Sequence, residues 1–213
     1  MIAPLLHAAP DMPVLVAEHA AEAYACTATH APLLIVADMA LKNTAPRLWA
    51  FDLKQPNKPR LIIESRVEHG SGSDPERTGY AVHFSNAENS LATSLGLYRV
   101  AEPYESPVHG RAYRLNGLTL GWNDRAYDRD VNFHSSAFVD RDRVSWSSGC
   151  LATPAQVIPA IEHAMHTSLS GAVVWVDGPV PMVPMPHCSW SQPAWSSSTP
   201  AARWGLPQRS CAL

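Results

Sequence analysis

The chain has 213 residues, of which 46% are hydrophobic and 16% charged, and its formal net charge at pH 7 is −3. This composition is typical of one folded globular domain, and the lack of a basic excess argues against nucleic acid as a partner. The longest apolar run, within residues 31–41, is broken by Asp38 and is too short to cross a bilayer, so we expect no transmembrane segment. No signal peptide is visible at the start, so either the protein is not exported or a signal was removed.

Residues 11–30 are predicted to form a packing helix, because Asp11 can cap it, Pro13 suits a first turn and an alanine-rich stretch follows. From residue 31 onward, short apolar or alternating runs separated by turn residues predict the strands of a sandwich or barrel. The predicted strands are 33–37, 47–53, 60–67, 96–101, 112–115, 132–133 and 172–177. The polar turn at 54–59 predicts a hairpin between the second and third strands.

A second helix is predicted after Cys150, ending near residue 166. Thr153 and Gln156 have the spacing of a capping box, and Pro154 falls at the first helical position. Pro159 complicates a single helix, so a turn followed by a helix is equally possible. Residues 179–213 are rich in proline, serine and tryptophan without periodicity, and they are predicted to be a tail. The chain is thus predicted to consist of an N-terminal helical segment at 1–31, a main domain at 32–178 and this tail.

The four cysteines do not have metal-ligand spacings such as C-x-x-C, and they are too sparse for a disulfide scaffold. Cys188 and Cys211 both lie in the tail and could form a disulfide in an oxidising compartment. His163 and His166 have a three-residue spacing, but surface histidines are the commoner outcome, so no metal site is predicted.

The best candidate for chemistry is His134, which stands sixteen positions before the Cys150 that closes Ser-Ser-Gly-Cys. We expect Cys150 to attack a carbonyl as a thiolate, while His134 takes the thiol proton and returns it to the leaving amine. Ser135 could orient the imidazole through its carbonyl or hydroxyl oxygen. The backbone amides of Gly149 and Cys150 are the expected oxyanion donors.

Several ordered blocks around this pair carry a resemblance. They are residues 47–53, 67–70, 84–86, 93–98, 108–110, 114–118 and 123–129, followed by His134 and the Ser-Ser-Gly-Cys150 motif. Together they resemble the L,D-transpeptidases of bacterial cell-wall synthesis, the YkuD-like family, and within it the murein L,D-transpeptidase catalytic-domain branch. The signature of that family is a histidine followed some fifteen positions later by Ser/Thr-x-Gly-Cys.

The resemblance implies a mainly β (α+β) fold, a YkuD-like β-sandwich with an N-terminal helix and a short helix after the catalytic cysteine. Residues 32–178 would then be the L,D-transpeptidase catalytic domain. It also implies that Cys150 is acylated by a peptidoglycan stem tetrapeptide, that His134 is the base, and that the Ser135 carbonyl orients it. Such enzymes pass the acyl group to an amine of a second stem, need no metal or cofactor, and work in the periplasm or at the cell wall.

Four further positions are candidate substrate-binding residues: Ser148, His109, Tyr127 and Arg129. Ser148 stands where the wider family usually has histidine, and residues 151–154 replace the arginine that usually follows the cysteine. His109 lies in a matched block and could line the groove or tune Cys150, or it could be structural. Tyr127 and Arg129 precede the strand that leads to His134.

Two other functions stay open. A hydrolase would resolve the thioester with water, as an L,D-carboxypeptidase or amidase of peptidoglycan, and the active-site residues alone do not separate this from transfer. An inert wall-binding domain with a vestigial site is the third possibility, for which Ser148 and the missing arginine are the warning signs. The sequence indicates nothing about oligomeric state.

Overall fold

The computed structural model describes residues 1–27, 31–140 and 144–179. The helices in these ranges are α1 (Ile2–Ala8), α2 (Val14–Ala25) and α3 (Val157–Met165), and a 3-10 turn spans Ser71–Ser73. The strands are β1 (Leu33–Asp38), β2 (Leu48–Asp52), β3 (Arg60–Ser65), β4 (Gly96–Ser106), β5 (Gly110–Gly117), β6 (Asn132–Ser135), β7 (Leu151–Thr153) and β8 (Val173–Asp177).

All of these strands belong to one mixed sheet, in the order β3-β2-β1-β8-β4-β5-β6-β7. The pairs β1/β8 and β6/β7 are parallel, and the other neighbours are antiparallel. Strands therefore dominate and a few helices accompany them, which confirms the predicted mainly β, α+β class with helices before the sheet and after Cys150.

The two faces of the sheet bury different sets of side chains. Because successive side chains of a strand point to opposite faces, Ile35 and Val174 enter a core cluster that includes α3, whereas Leu34, Val36 and Trp175 enter a second cluster with α1 and α2. Every residue of β1 and β8 is buried, as expected for central strands covered on both sides. The helices thus cover both faces of the central strands.

The chain beyond β3 joins the opposite edge of the sheet at β7. The amide of Glu68 donates to the carbonyl of Ala152 at 2.8 Å, and the amide of Ser147 donates to the carbonyl of His69 at 3.0 Å. Gly70 and Ser147 form an isolated parallel bridge. The sheet therefore curls until its first and last strands are linked, just where the residues that precede Cys150 turn.

The N-terminal helical region differs from its prediction. α2 begins at Val14, with Pro13 at the N-cap, and the capping role predicted for Asp11 is wrong. A separate helix, α1, occupies residues 2–8, which lie within the predicted N-terminal helical segment at 1–31 but before the single helix predicted at 11–30. α1 contributes Leu5, which is fully buried, to the second core cluster, so tertiary packing stabilises a helix too short to be stable alone.

Strand predictions are largely confirmed, including the β2/β3 hairpin, and the misses have local causes. β4 continues past Pro103 because the register with β5 shifts between Val100 and Pro103, an irregularity that tolerates a proline. β7 was missed, since its three residues become a strand only through pairing with β6. The capping box is wrong: residues 154–156 form a turn, and α3 begins at Val157, which places Pro159 within the first helical turn, where its missing amide costs nothing.

Across the described residues we find no helix with the length and apolarity needed to cross a membrane. The division of the chain at residues 31 and 178 stays a prediction. Residues 180–213, with almost all of the predicted tail and the suggested Cys188–Cys211 pair, lie outside the described residues.

Glu68, at the point where the sheet closes, gives a testable pH dependence. Its side chain is buried and accepts a hydrogen bond from Ser136 Oγ at 3.2 Å. Burial raises the pKa of Glu68 from 4.5 to about 7, against the smaller opposite effect of Ser136. Between these values the folded chain keeps a proton that the unfolded chain has released. The favourable contribution of Glu68 to the free energy of unfolding is therefore fully present below pH 4.5 and is lost as the pH rises through 7.

We expect Glu68→Gln to raise the free energy of unfolding at pH 8 by an amount on the order of 3 kcal/mol, and to change it little at pH 4. Glutamine keeps the acceptor for Ser136 but carries no charge. Denaturant unfolding at both pH values measures the effect, and Glu76→Gln, at an exposed position, is the control. An equal effect at both pH values would contradict the assignment.

Candidate active site

The pairing of β6 with β7 brings His134 and Cys150 to one face of the sheet. His134 is opposite Ala152 and Phe133 is opposite Leu151, so the same parallel register places Cys150 beside Asn132. Phe133 and Leu151 point into the core cluster with α3, and the alternating positions therefore share the other face. Asn132 and His134 thus lie on the face that carries Cys150.

The His134 ring is held by its neighbour in sequence. Its Nδ1 donates to the carbonyl of Ser135 at 2.9 Å, which leaves Nε2 as the unprotonated nitrogen of the neutral ring. Nε2 is buried and has no hydrogen-bond partner among the described residues. Burial lowers the pKa of His134 to about 4, the Ser135 hydrogen bond opposes this, and the charge of His109 lowers it further. The imidazole is therefore neutral near pH 7 and presents a free lone pair.

The sulfur of Cys150 lies in a fully buried position between two backbone groups. The amide nitrogen of Asn132 is 3.3 Å from it, and the carbonyl oxygen of Asp130 is 3.7 Å from it. Cys150 is disulfide-bonded in this structure, and so is Cys26. The predicted nucleophile is thus in its oxidised form, and any reaction of its thiolate requires that the disulfide first be reduced.

The turn before Cys150 is organised by Ser147, which the sequence analysis did not single out. Ser147 Oγ donates to the carbonyl of Cys150 at 2.7 Å and accepts the amide of Gly149 at 3.1 Å. The Gly149 amide, predicted as an oxyanion donor, is therefore already engaged by a side chain. To serve a substrate, it must exchange this bond. Ser148 lies half-buried in the same turn.

Gly149 is required at its position for two reasons. Its φ of +114° is one that side-chain-bearing residues rarely adopt, and a Cβ there would stand 2.9 Å from the carbonyl oxygen of Ala92. The same Cβ would lie 3.5 Å from the guanidinium of Arg129.

Of the predicted substrate-binding residues, His109 and Arg129 lie next to the pair and its turn. The rings of His109 and His134 have centroids 4.0 Å apart, at an interplanar angle of 33°. Arg129 donates to the carbonyls of Ser85 at 2.8 Å and Ala92 at 2.9 Å, and to two serine hydroxyls. These bonds hold the loop around residues 85–94 against Arg129.

Tyr127 is more distant from the pair and belongs to a polar cluster on the neighbouring strands. Its hydroxyl donates to Glu102 at 2.6 Å, and its ring is 5.5 Å from the Arg114 guanidinium. Burial, followed by the Glu102 hydrogen bond, raises the pKa of Tyr127 to about 12. Arg114 also pairs with Asp130, whose carbonyl lies near the Cys150 sulfur. Tyr127 is therefore connected to the site through that cluster.

Asn132 was missed as a site residue, although the sequence contains the relevant signal. The predicted strand there ended at residue 133, and extending it to His134 would have placed residues 132 and 134 on one face, two positions apart. No group of three or more His, Cys, Asp or Glu side chains suited to a metal ion occurs in the part of the chain that the structure describes.

Comparison with known proteins identifies the family. The family described as "L,D-transpeptidase catalytic domain", YkuD_2, matches residues 9–172, which is most of the chain. The chain therefore belongs to the L,D-transpeptidase catalytic domain family, and the resemblance drawn from the sequence blocks is confirmed. No curated protein matches the chain.

Several solved structures are similar to this chain at low identity. Bd1075 of Bdellovibrio bacteriovorus is 18% identical over 68% of this chain and 47% of its own, with a TM-score of 0.42. The helical cell shape determining protein Pgp2 of Campylobacter jejuni is 13% identical over 69% and 48%, with a TM-score of 0.43. An L,D-transpeptidase of Stackebrandtia nassauensis is 14% identical over 84% and 77%, with a TM-score of 0.42. The chain spans about half the length of the first two.

Gly149→Ala should destabilise the fold more than Gly121→Ala. Both glycines have positive φ values, +114° and +78°, but nothing lies within 4 Å of a Cβ at Gly121. The Gly121 variant should therefore carry only the backbone cost, about 1 to 2 kcal/mol. The Gly149 variant adds a clash with the Ala92 carbonyl. Thermal unfolding of both variants measures the difference, and equal melting temperatures would show that this close approach is not maintained.

Proposed function

We propose that this chain is a peptidoglycan L,D-transpeptidase in which Cys150 is the nucleophile and His134 the base. The observation that supports this most is the buried Nε2 of His134, which has no partner among the residues that the structure describes and lies on the same face as the Cys150 sulfur. A lone pair in that position is available to remove the thiol proton, and the Ser135 carbonyl holds the ring in the required tautomer.

In the first step, the Cys150 sulfur attacks the carbonyl carbon of the terminal peptide bond of a stem tetrapeptide. The S–C bond forms, the C–N bond breaks, and the thiol proton passes through His134 to the leaving amine. The product is a thioester and a free D-amino acid. In the second step, an amine of another stem attacks the thioester, its proton passes through His134 to the sulfur, and a new amide is released.

The surroundings of the sulfur support this chemistry. The Asn132 amide can stabilise the thiolate by donating to it, and backbone amides of Gly149 and Cys150 are proposed for the oxyanion once Gly149 has exchanged its bond with Ser147. The stem-peptide substrate and a periplasmic or cell-wall location follow from family membership. We propose them for this chain on that basis, with His109 and Arg129 lining the substrate groove.

The decisive experiment uses the full chain, reduced with dithiothreitol and incubated with disaccharide-tetrapeptides. We expect a cross-linked dimer and free D-amino acid, and a carbapenem should give a covalent adduct on Cys150 by mass spectrometry. Without reductant both signals should be lost, because the disulfide blocks the sulfur. Cys150→Ala should abolish them, whereas the matched control Cys26→Ala should keep the adduct.

The remaining outcomes separate the alternatives. Release of D-amino acid without dimer, even at high acceptor concentration, indicates a hydrolase. A folded, reduced protein that gives neither product nor adduct indicates an inert domain and overturns the proposal.

The buried base also predicts a pH profile. Since burial lowers the pKa of His134 to about 4, the neutral base should persist well below the pKa of an ordinary histidine, about 6.5. The acid limb of kcat/KM, which reports the free enzyme, should fall near pH 4. His109→Phe keeps a ring against His134 but removes the repelling charge, so its acid limb should move to higher pH. A wild-type limb near pH 6.5 would contradict a buried base in the working enzyme.

A further inference from the structure

Two buried acceptors on the sheet face that carries Cys150 have no partner among the described residues. One is His134 Nε2, and the other is the side-chain oxygen Oδ1 of Asn132, whose residue is 1% exposed. They lie two residues apart on the same face of β6. Buried polar groups in folded proteins are almost always hydrogen-bonded. The Asn132 amide oxygen, without a partner in the described chain, therefore calls for an explanation, and the backbone amide of the same residue lies 3.3 Å from the Cys150 sulfur.

The orientation of the Asn132 amide follows from its surroundings. Nδ2 donates to the backbone carbonyl of Asp130 at 2.7 Å and lies 3.4 Å from the Asp130 carboxylate. If the amide were turned over, Oδ1 would face two oxygens that cannot donate. The network therefore holds Nδ2 toward Asp130 and leaves Oδ1 as a buried acceptor that only a hydrogen-bond donor can satisfy.

The reacting nitrogen supplies such a donor. A primary amine that attacks the thioester carries two hydrogens: one must pass to His134 Nε2, and the other has no acceptor on that ring. The lone pair of the amine must point at the carbonyl carbon on the Cys150 sulfur. An acceptor on Asn132 suits the second hydrogen, because this residue shares a strand face with His134 and its backbone amide lies 3.3 Å from the sulfur.

We propose that Asn132 Oδ1 accepts the N–H of the nitrogen that leaves the donor peptide and, after the thioester has formed, of the amine that attacks it. Asn132 is then the residue that positions the reacting nitrogen and so favours amine transfer. This inference rests on the proposed function. Because the attacking and leaving nitrogens occupy the same place in the two steps, both should depend on Asn132.

A carbapenem separates this role from a general effect on the thiol. Its lactam nitrogen carries no hydrogen, so acylation by a carbapenem has no use for the Asn132 acceptor. We expect Asn132→Leu, in the reduced full chain, to keep the rate of carbapenem acylation within about twofold. Transfer between peptide stems should fall about tenfold or more, as expected for the loss of one hydrogen bond in a buried site.

The control and a second variant keep the test decisive. Asn116→Leu makes the same exchange on β5. The last residue of β5 that pairs with β6 is Arg114, so Asn116 lies beyond this pairing, and its variant should leave both rates unchanged. Should Asn132→Leu fail to fold, Asn132→Ala removes the same acceptor with less bulk, and carbapenem labelling itself reports an intact site. The KM for the acceptor amine should rise in the Asn132 variants.

Each other outcome contradicts the inference. Equal losses with carbapenem and peptide would show that Asn132 acts on the thiol or the fold, and unchanged transfer would show that Oδ1 does not meet the reacting nitrogen. If the wild type is active and a variant gives either of these results, the role of Asn132 is overturned but the proposed function is not. A wild type that takes up carbapenem but makes no peptide product overturns the proposed function, and this inference with it.

Discussion

The buried guanidinium of Arg47 is the constraint on which the geometry of the site depends. Arg47 is fully buried, and its donors reach the carbonyl of Val67 at 3.1 and 2.8 Å, the carbonyl of Leu41 at 2.7 Å and Nδ1 of His69 at 2.9 Å. Burial lowers its pKa to about 9, and Asp38 opposes this, so it remains charged at neutral pH. A buried charge is tolerated only when its donors are satisfied, which makes the path of residues 67–69 a requirement of Arg47.

The path of residues 67–69 determines where the turn before Cys150 lies. The carbonyl of His69 accepts the amide of Ser147, and the amide of Ser71 donates to the carbonyl of Ser147 at 2.7 Å. Ser147 then holds Gly149 and Cys150 through its hydroxyl. The orientation of the Cys150 sulfur is thus connected to the Arg47 guanidinium, near the other edge of the sheet. The two edges must be joined before Cys150 can take its position beside Asn132. Asp74, which accepts the indole of Trp146, adds a second link between these segments.

Local sequence was enough to predict the strands that form the centre of the sheet, because β1, β2 and β8 are apolar runs bounded by turn residues. The same reasoning found His134 and Cys150, whose spacing and flanking blocks are local. It could not predict the role of Arg47, whose donors reach Val67 and His69, 20 and 22 positions away. Nor could it predict the backbone pairing of Ser147 with His69, which are far apart in the chain. α1 was missed because it depends on tertiary packing, chiefly against α2. β7 was missed because Leu151–Thr153 becomes a strand only through its partner β6.

In the proposed reaction, the buried His134 favours proton transfer during attack over a preformed thiolate–imidazolium pair. A preformed thiolate–imidazolium pair needs a base with a raised pKa, yet burial lowers that of His134 to about 4. On the sulfur side, the Asn132 amide favours the anion, whereas the Asp130 carbonyl oxygen, 3.7 Å away, disfavours it. In the mechanism that we propose, proton transfer to His134 is therefore most favourable as the S–C bond forms, when the negative charge moves from sulfur to the carbonyl oxygen. In such a site, the groups that position the substrate nitrogen matter as much as the nucleophile, because they determine when the proton can move.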